Sequence, residues 1–164
     1  MYVDDGKVYV SSTSLEVNTR IIKNVWERTI APWATRVGFE YDYEKRELAH
    51  YTRRRSDNSS SPSITFTDRD GVTRTVKPQQ IVKWLGVYLD HKLTFNHHVK
   101  TLAGNAGKAL GALTMLANTV KGMSQYHLRL MYKSCVVPVM TYASPVWWTG
   151  KKVHEKAMEK IQNR

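Results

Sequence analysis

The apolar pattern of this chain changes period once, after Thr94, and that change limits the folds open to it. Up to that point one helical stretch is followed by short strand-like runs. Beyond it, helical spacing continues to the end. The order predicts α+β followed by all-α.

In detail, Tyr2-Val3 and Val8-Tyr9-Val10 flank Asp4-Asp5-Gly6-Lys7 and predict a β-hairpin over residues 1–10, since Asp-Gly favours a tight turn. Thr13 to Glu16 matches a capping box, placing a helix start near Ser14. Leu15, Ile22, Val25, Trp26, Ile30, Trp33 and Val37 continue that helix to Gly38, with a kink at Pro32. Phe39, Tyr41 and Tyr43 alternate with acids as a strand would, and Leu48 to Arg53 reads as its partner. The polar run 55–62 is a linker. A second hairpin pairs Ile64–Phe66 with Val72–Val76, and one long strand runs from Ile81 to Leu89. Helices follow at about 96–119, 124–144 (N-capped by Ser124, kinked at Pro138) and 152–163. This gives three regions, 1–54, 55–90 and 91–164.

At 164 residues the chain can bury a core without disulfide or metal support. Its one cysteine, Cys135, lies in an apolar run and reads as a small buried hydrophobe of a reducing compartment. Residue 2 onward is charged where a signal peptide is apolar, and no run of eighteen apolar residues occurs. The expected location is intracellular, in cytoplasm or nucleus, with no membrane partner.

The net charge is +11, and its distribution is more telling than its size. None of the fourteen acids falls between His91 and His154, while Lys92, Lys100, Lys108, Lys121, Arg129, Lys133, Lys151 and Lys152 do. A field of one sign over sixty residues attracts a polyanion, most often nucleic acid; a basic face kept for solubility is the other reading. Ala103, Gly104, Ala106, Gly107, Ala109, Gly111 and Ala112 give the first helix of this segment a small-residue side that admits either another helix or a duplex. His97 and His98 have no cysteine or carboxylate at ligand spacing, which argues against a metal there. Tyr142, Trp147 and Trp148 offer rings for base stacking or for a packed cluster. Asp4 and Asp5 at a hairpin tip are hard-oxygen ligands suited to Mg²⁺, or simply the acids of a turn.

Four blocks in series carry a resemblance. Tyr2-Val3-Asp4-Asp5 resembles the Tyr-x-Asp-Asp signature of reverse transcriptases. Gly38-Phe39, Lys45-Arg46-Glu47-Leu48 and His50-Tyr51 resemble the block that follows it in non-LTR retrotransposons, with Arg46 where Thr is usual and Tyr51 where Phe is. Trp84-Leu85-Gly86-Val87-Tyr88-Leu89-Asp90, then Leu93-Thr94-Phe95 and His98-Val99, resemble the primer grip and early thumb. Leu130-Met131-Tyr132, Pro138, Tyr142, Val146-Trp147 and Ile161-Gln162-Asn163 resemble the later thumb.

The resemblance implies the end of a reverse-transcriptase palm, an antiparallel sheet with a helix, followed by a helical thumb. It implies Asp4 and Asp5 as Mg²⁺ ligands, Asp4 the firmer, in a two-ion site for nucleotidyl transfer. Tyr2 and Val3 would flank the incoming nucleotide and primer end. Lys45 would assist pyrophosphate departure, or be an ordinary turn lysine. Trp84, Leu85 and Gly86 would form the primer grip, with Trp84 alternatively plain core. Lys100, Lys108 and Lys121 would hold the backbone of an RNA template paired with a DNA primer. The family's third metal carboxylate and its fingers precede the aspartate pair, so these 164 residues are expected to be inactive alone, a fragment of the polymerase. A non-catalytic nucleic-acid-binding protein derived from a transposon relic is the alternative. The opening strand, lacking the palm strand it would pair with, is expected to favour self-association.

Overall fold

The computed structural model describes residues 6–55, 57, 60–67, 71–117 and 122–163, arranged as two compact units, 1–82 and 83–164. It mixes helices with two small two-stranded sheets, as the order of periods predicts.

The first unit begins differently from expectation. Tyr2, Val3, Asp4 and Asp5 lie outside the described residues, and residues 6–10 form no strand; Val8 and Tyr9 are exposed. Helix α1 spans Leu15–Val25, and its N-cap is Ser14, whose hydroxyl accepts from the Val17 amide at 3.2 Å. The expected Thr13–Glu16 box does not form, because the Glu16 carboxylate instead accepts from the Ser60 hydroxyl. A five-residue π turn, Trp26–Ile30, leads into α2, Ala31–Val37, which ends on left-handed Gly38. Pro32 lacks an amide and crowds the turn before it, and the backbone widens there into the π turn.

Strands expected over 39–43 and 48–53 are absent; the one ladder contact is an isolated bridge from Leu48 to Pro78. Packing overrides the strand period here. Tyr41 sits edge-on to Trp26 at 4.9 Å and to Phe39 at 4.8 Å. Strands β1 (Ile64–Thr67) and β2 (Thr73–Val76) pair antiparallel with Ile64 opposite Val76. Their inward residues Ile64 and Phe66 join Leu48 in a small core, against which Ile22, Trp26 and Val76 pack.

The strand expected over 81–89 is two: β3 (Ile81–Trp84) and β4 (Val87–Asp90), turned by Leu85-Gly86. Helix α3 runs Asn96–Ala117, α4 Gln125–Met131, α5 Val137–Thr141, α6 Ser144–Trp147 and α7 Lys152–Gln162. Ser124 caps α4 as expected. Pro138, like Pro32, follows a π turn, Tyr132–Val136. The second unit packs two clusters of buried apolar side chains, one around Val99, Leu102 and Trp147 and one around Ala106, Val136 and Ile161. Cys135, expected inside, is exposed, because its neighbour Val136 takes the inward position. No helix among the described residues is long and apolar enough to cross a membrane.

Candidate nucleic-acid interface

The entry to α3 is built by one carboxylate. Asp90 accepts from the amides of Thr94 (2.9 Å), Lys92 (3.2 Å) and Phe95 (2.6 Å) and from the Thr94 hydroxyl (3.1 Å). Those bonds hold Leu93 and Phe95 at φ 51° and 60°, in the left-handed region that side chains disfavour. Partial burial pushes the carboxyl up, and the four donors outweigh it and leave it below its ordinary value. The run Leu89-Asp90 to Phe95 is thus a structural corner that aims α3.

Along α3, residues 100, 104 and 108 recur every four positions and so share a face. Lys100, Gly104 and Lys108 line one side of a groove of about 640 Å³ whose other side is α7, with His154, Ala157, Lys160 and Ile161. The small-residue side of α3 divides in two. Ala106 is fully buried against the Val136–Ile161 cluster, and a side chain at Gly107 would meet Ile161 Cδ1 at 3.7 Å. Gly104 and Gly111 face open space. Helix packing therefore explains Ala106, whereas Gly107 would admit a Cβ at ordinary contact distance and Gly104 opens onto the groove.

At the groove's end His154 is buried, its Nε2 3.0 Å from Asn96 Oδ1. Desolvation lowers its pKa, the Lys151 charge lowers it further, and the Thr94 carbonyl partly offsets both. His98 is buried beside Trp147, with Nδ1 3.4 Å from the Tyr88 amide, and desolvation likewise lowers it. Neither histidine has the neighbours a metal needs; among the described residues no three His, Cys, Asp or Glu gather. Trp147 is buried and Trp148 exposed, so the packed-cluster reading holds for the first ring alone.

The other expected site residues are scattered. Lys45 pairs with Asp42 at 2.9 Å and stays largely exposed. The hydrogen bond to Asp42, with its charge, raises the lysine's pKa. Its neighbour Arg46 lies over the Trp26, Tyr43 and Phe66 rings at 3.9–5.0 Å. Trp84 and Leu85 are exposed rather than core. Lys100 and Lys108 come together on the groove; Lys121, with Asp4, Asp5, Tyr2 and Val3, lies outside the described residues. Lys160 lies outside the acid-free run that marks the other lysines, because Glu155 and Glu159 share its helix. Its place beside Ile161, an apolar contact on a helix, was the available signal.

Over 163 residues, 99% of the chain, the sequence is 26% identical to the Probable RNA-directed DNA polymerase from transposon BS of Drosophila melanogaster. It is 23% identical over 161 residues, 98% of its length, to the RNA-directed DNA polymerase from mobile element jockey of the same organism. A third relative is the Retrovirus-related Pol polyprotein from type-1 retrotransposable element R1 4 of Nasonia vitripennis, 26% identical over 56% of the chain. The curated homologues are RNA-directed DNA polymerases of non-LTR retrotransposons. The chain spans 17% of the length of each of the two Drosophila relatives and 23% of the Nasonia one. No family model and no solved structure matches it.

Proposed function

We propose that this chain is the part of a non-LTR reverse transcriptase that carries the aspartate pair and holds the template–primer duplex. The observation that carries the reading is similarity to such polymerases along 98–99% of the chain. Residues 1–54 would be the end of the palm, 55–90 a linker, hairpin and primer-grip strand, and 91–164 the thumb. Asp4 and Asp5 would hold Mg²⁺, which when bound would stabilise charge on the leaving phosphates. Tyr2 and Val3 would border the nucleotide. Lys45 is fit to offset leaving-group charge once it exchanges Asp42 for pyrophosphate. The exposed tip Trp84-Leu85-Gly86 would meet the primer end. Lys100, Lys108 and Lys160 would take phosphates along the groove, Lys121 adding to them, with Gly104 allowing the backbone close.

The test is binding of an RNA–DNA duplex across a salt series. Replacing Lys100, Lys108 and Lys160 with Glu should weaken binding at least a hundredfold and flatten the salt slope by roughly 0.9 per lost contact. An unchanged slope would sink the groove assignment. The three-carboxylate metal set implied by the resemblance is incomplete in these 164 residues, so the polypeptide alone should extend no primer. Incorporation abolished by Asp4→Ala would refute that. The second reading, a non-catalytic binding protein, draws on the basic groove lying wholly within the second unit. Duplex binding indifferent to Mg²⁺, by a chain that stays inert when joined to the upstream part of a relative's polymerase, would favour it.

A further inference from the structure

The turn between β3 and β4 has two residues, Leu85 and Gly86, at φ 45° and 79°. Positive φ at both positions is the pattern of the type I′ hairpin, which ordinarily recruits Asn-Gly or Asp-Gly. A leucine at the first position is strained, and its side chain is 63% exposed. Neither turn preference nor burial accounts for it. Strain that surrounding structure enforces at an exposed tip points to use of that tip.

What enforces it is Tyr142. Its hydroxyl donates to the Leu85 carbonyl at 2.9 Å. Its ring lies so close over Gly86 that a Cβ there would come within 2.9 Å of Oη and 3.0 Å of Cε1. Tyr142 is itself fixed from behind: its carbonyl accepts from Trp147 Nε1 at 2.7 Å, and Ala143 turns the chain at φ 52° between α5 and α6. Trp147 is 2% exposed in the core that α3 shares. A continuous line of contacts therefore runs from the helical core, through one tyrosine, to the hairpin tip.

We infer that Tyr142 is a positioning residue that sets the Leu85-Gly86 tip against the helices lining the basic groove, so that a recessed primer end and the duplex behind it are held in one register. The inference rests on the duplex-holding reading above. The hydroxyl proton of Tyr142 is committed to the Leu85 carbonyl, and the residue acts through the tip.

The experiment compares a recessed 3′ end with a blunt end of the same RNA–DNA duplex, by fluorescence anisotropy on the full chain. The unaltered chain should prefer the recessed end. Tyr142→Phe keeps the ring and removes the hydrogen bond, and should reduce that preference about five- to tenfold, the size of one net hydrogen bond. Blunt-duplex affinity and its salt slope should stay unchanged, which a merely structural loss would not allow. Equal weakening on both duplexes, or a full preference kept by Tyr142→Phe, overturns the inference, as does no end preference in the unaltered chain. If the unaltered chain binds neither duplex, the duplex-holding reading and the end-positioning role both fall. Amide hydrogen exchange then separates the local lock from its use: Tyr142→Phe should speed exchange across residues 84–87 and spare α3 if the lock is real.

Discussion

The two units solve the same problem with different means. The first gathers only three of its buried apolar residues, Leu48, Ile64 and Phe66, into one cluster, and packs rings and one arginine over it. Trp33, Val37 and Phe39 remain exposed there. The second buries two clusters of five apolar residues each and is organised by helices. A cluster of three buried side chains sets less apolar area against conformational entropy than the helical unit's two clusters of five do. The four residues other than glycine in the left-handed region all fall in the second unit among the described residues. Strain collects where the surrounding packing can hold it.

The sharpest way to break this comparison is to hollow each core in turn. Trp147→Ala should cost about 3–5 kcal/mol and Phe66→Ala a similar amount in its smaller cluster. Hydrogen exchange should then show α3 and α7 opening in the first variant with β1 and β2 spared, and the reverse in the second. Opening of both units in either variant would mean that they fold as one. Asp90→Ala comes next. It strips partners from three amides and one hydroxyl at the head of α3, and should cost about 2–4 kcal/mol at roughly 1 kcal/mol per lost bond. A loss under 1 kcal/mol in chemical denaturation would show that Leu93 and Phe95 hold their conformation without it.

Much of this was readable beforehand, and the failures have physical causes. Helices α1, α3 and α7 follow from spacing and caps, because their apolar stripes run for several turns. Phe39, Tyr41 and Tyr43 mislead: alternation predicts a strand, but Phe39 finds Trp33, Tyr41 finds Trp26 and Tyr43 finds Arg46, and no second strand is offered to the backbone. The apolar Leu85 makes the run 81–89 look unbroken, and a hairpin turn on Leu-Gly has no compositional signal. Lys100 and Lys108 were legible as charge on a helix face. Lys160 and Tyr142 were not, since each gains its role from a partner more than fifty residues away.

The smallest effect concerns protons. His98 and His154 are buried in the second unit, and desolvation holds both below the ordinary histidine value. A lowered pKa means the unfolded chain binds the proton first. The stability these rings contribute is therefore complete above about pH 6.5, the unfolded value, and drains away as pH falls through it towards the folded values. Denaturation midpoints of the second unit should decline between pH 7 and 5 for this reason. Asp90 works in the same direction but at lower pH, since a depressed carboxyl loses its contribution only in the acid range. His154→Gln can keep the hydrogen bond to Asn96 without the titration, so it should flatten the decline without abolishing it, leaving His98 to supply the remainder. The first unit, which holds neither of these rings, should show a midpoint that moves less over the same interval. If instead both units weaken in parallel, the decline lies in overall charge repulsion on a chain of +11, and raising the salt concentration should remove it.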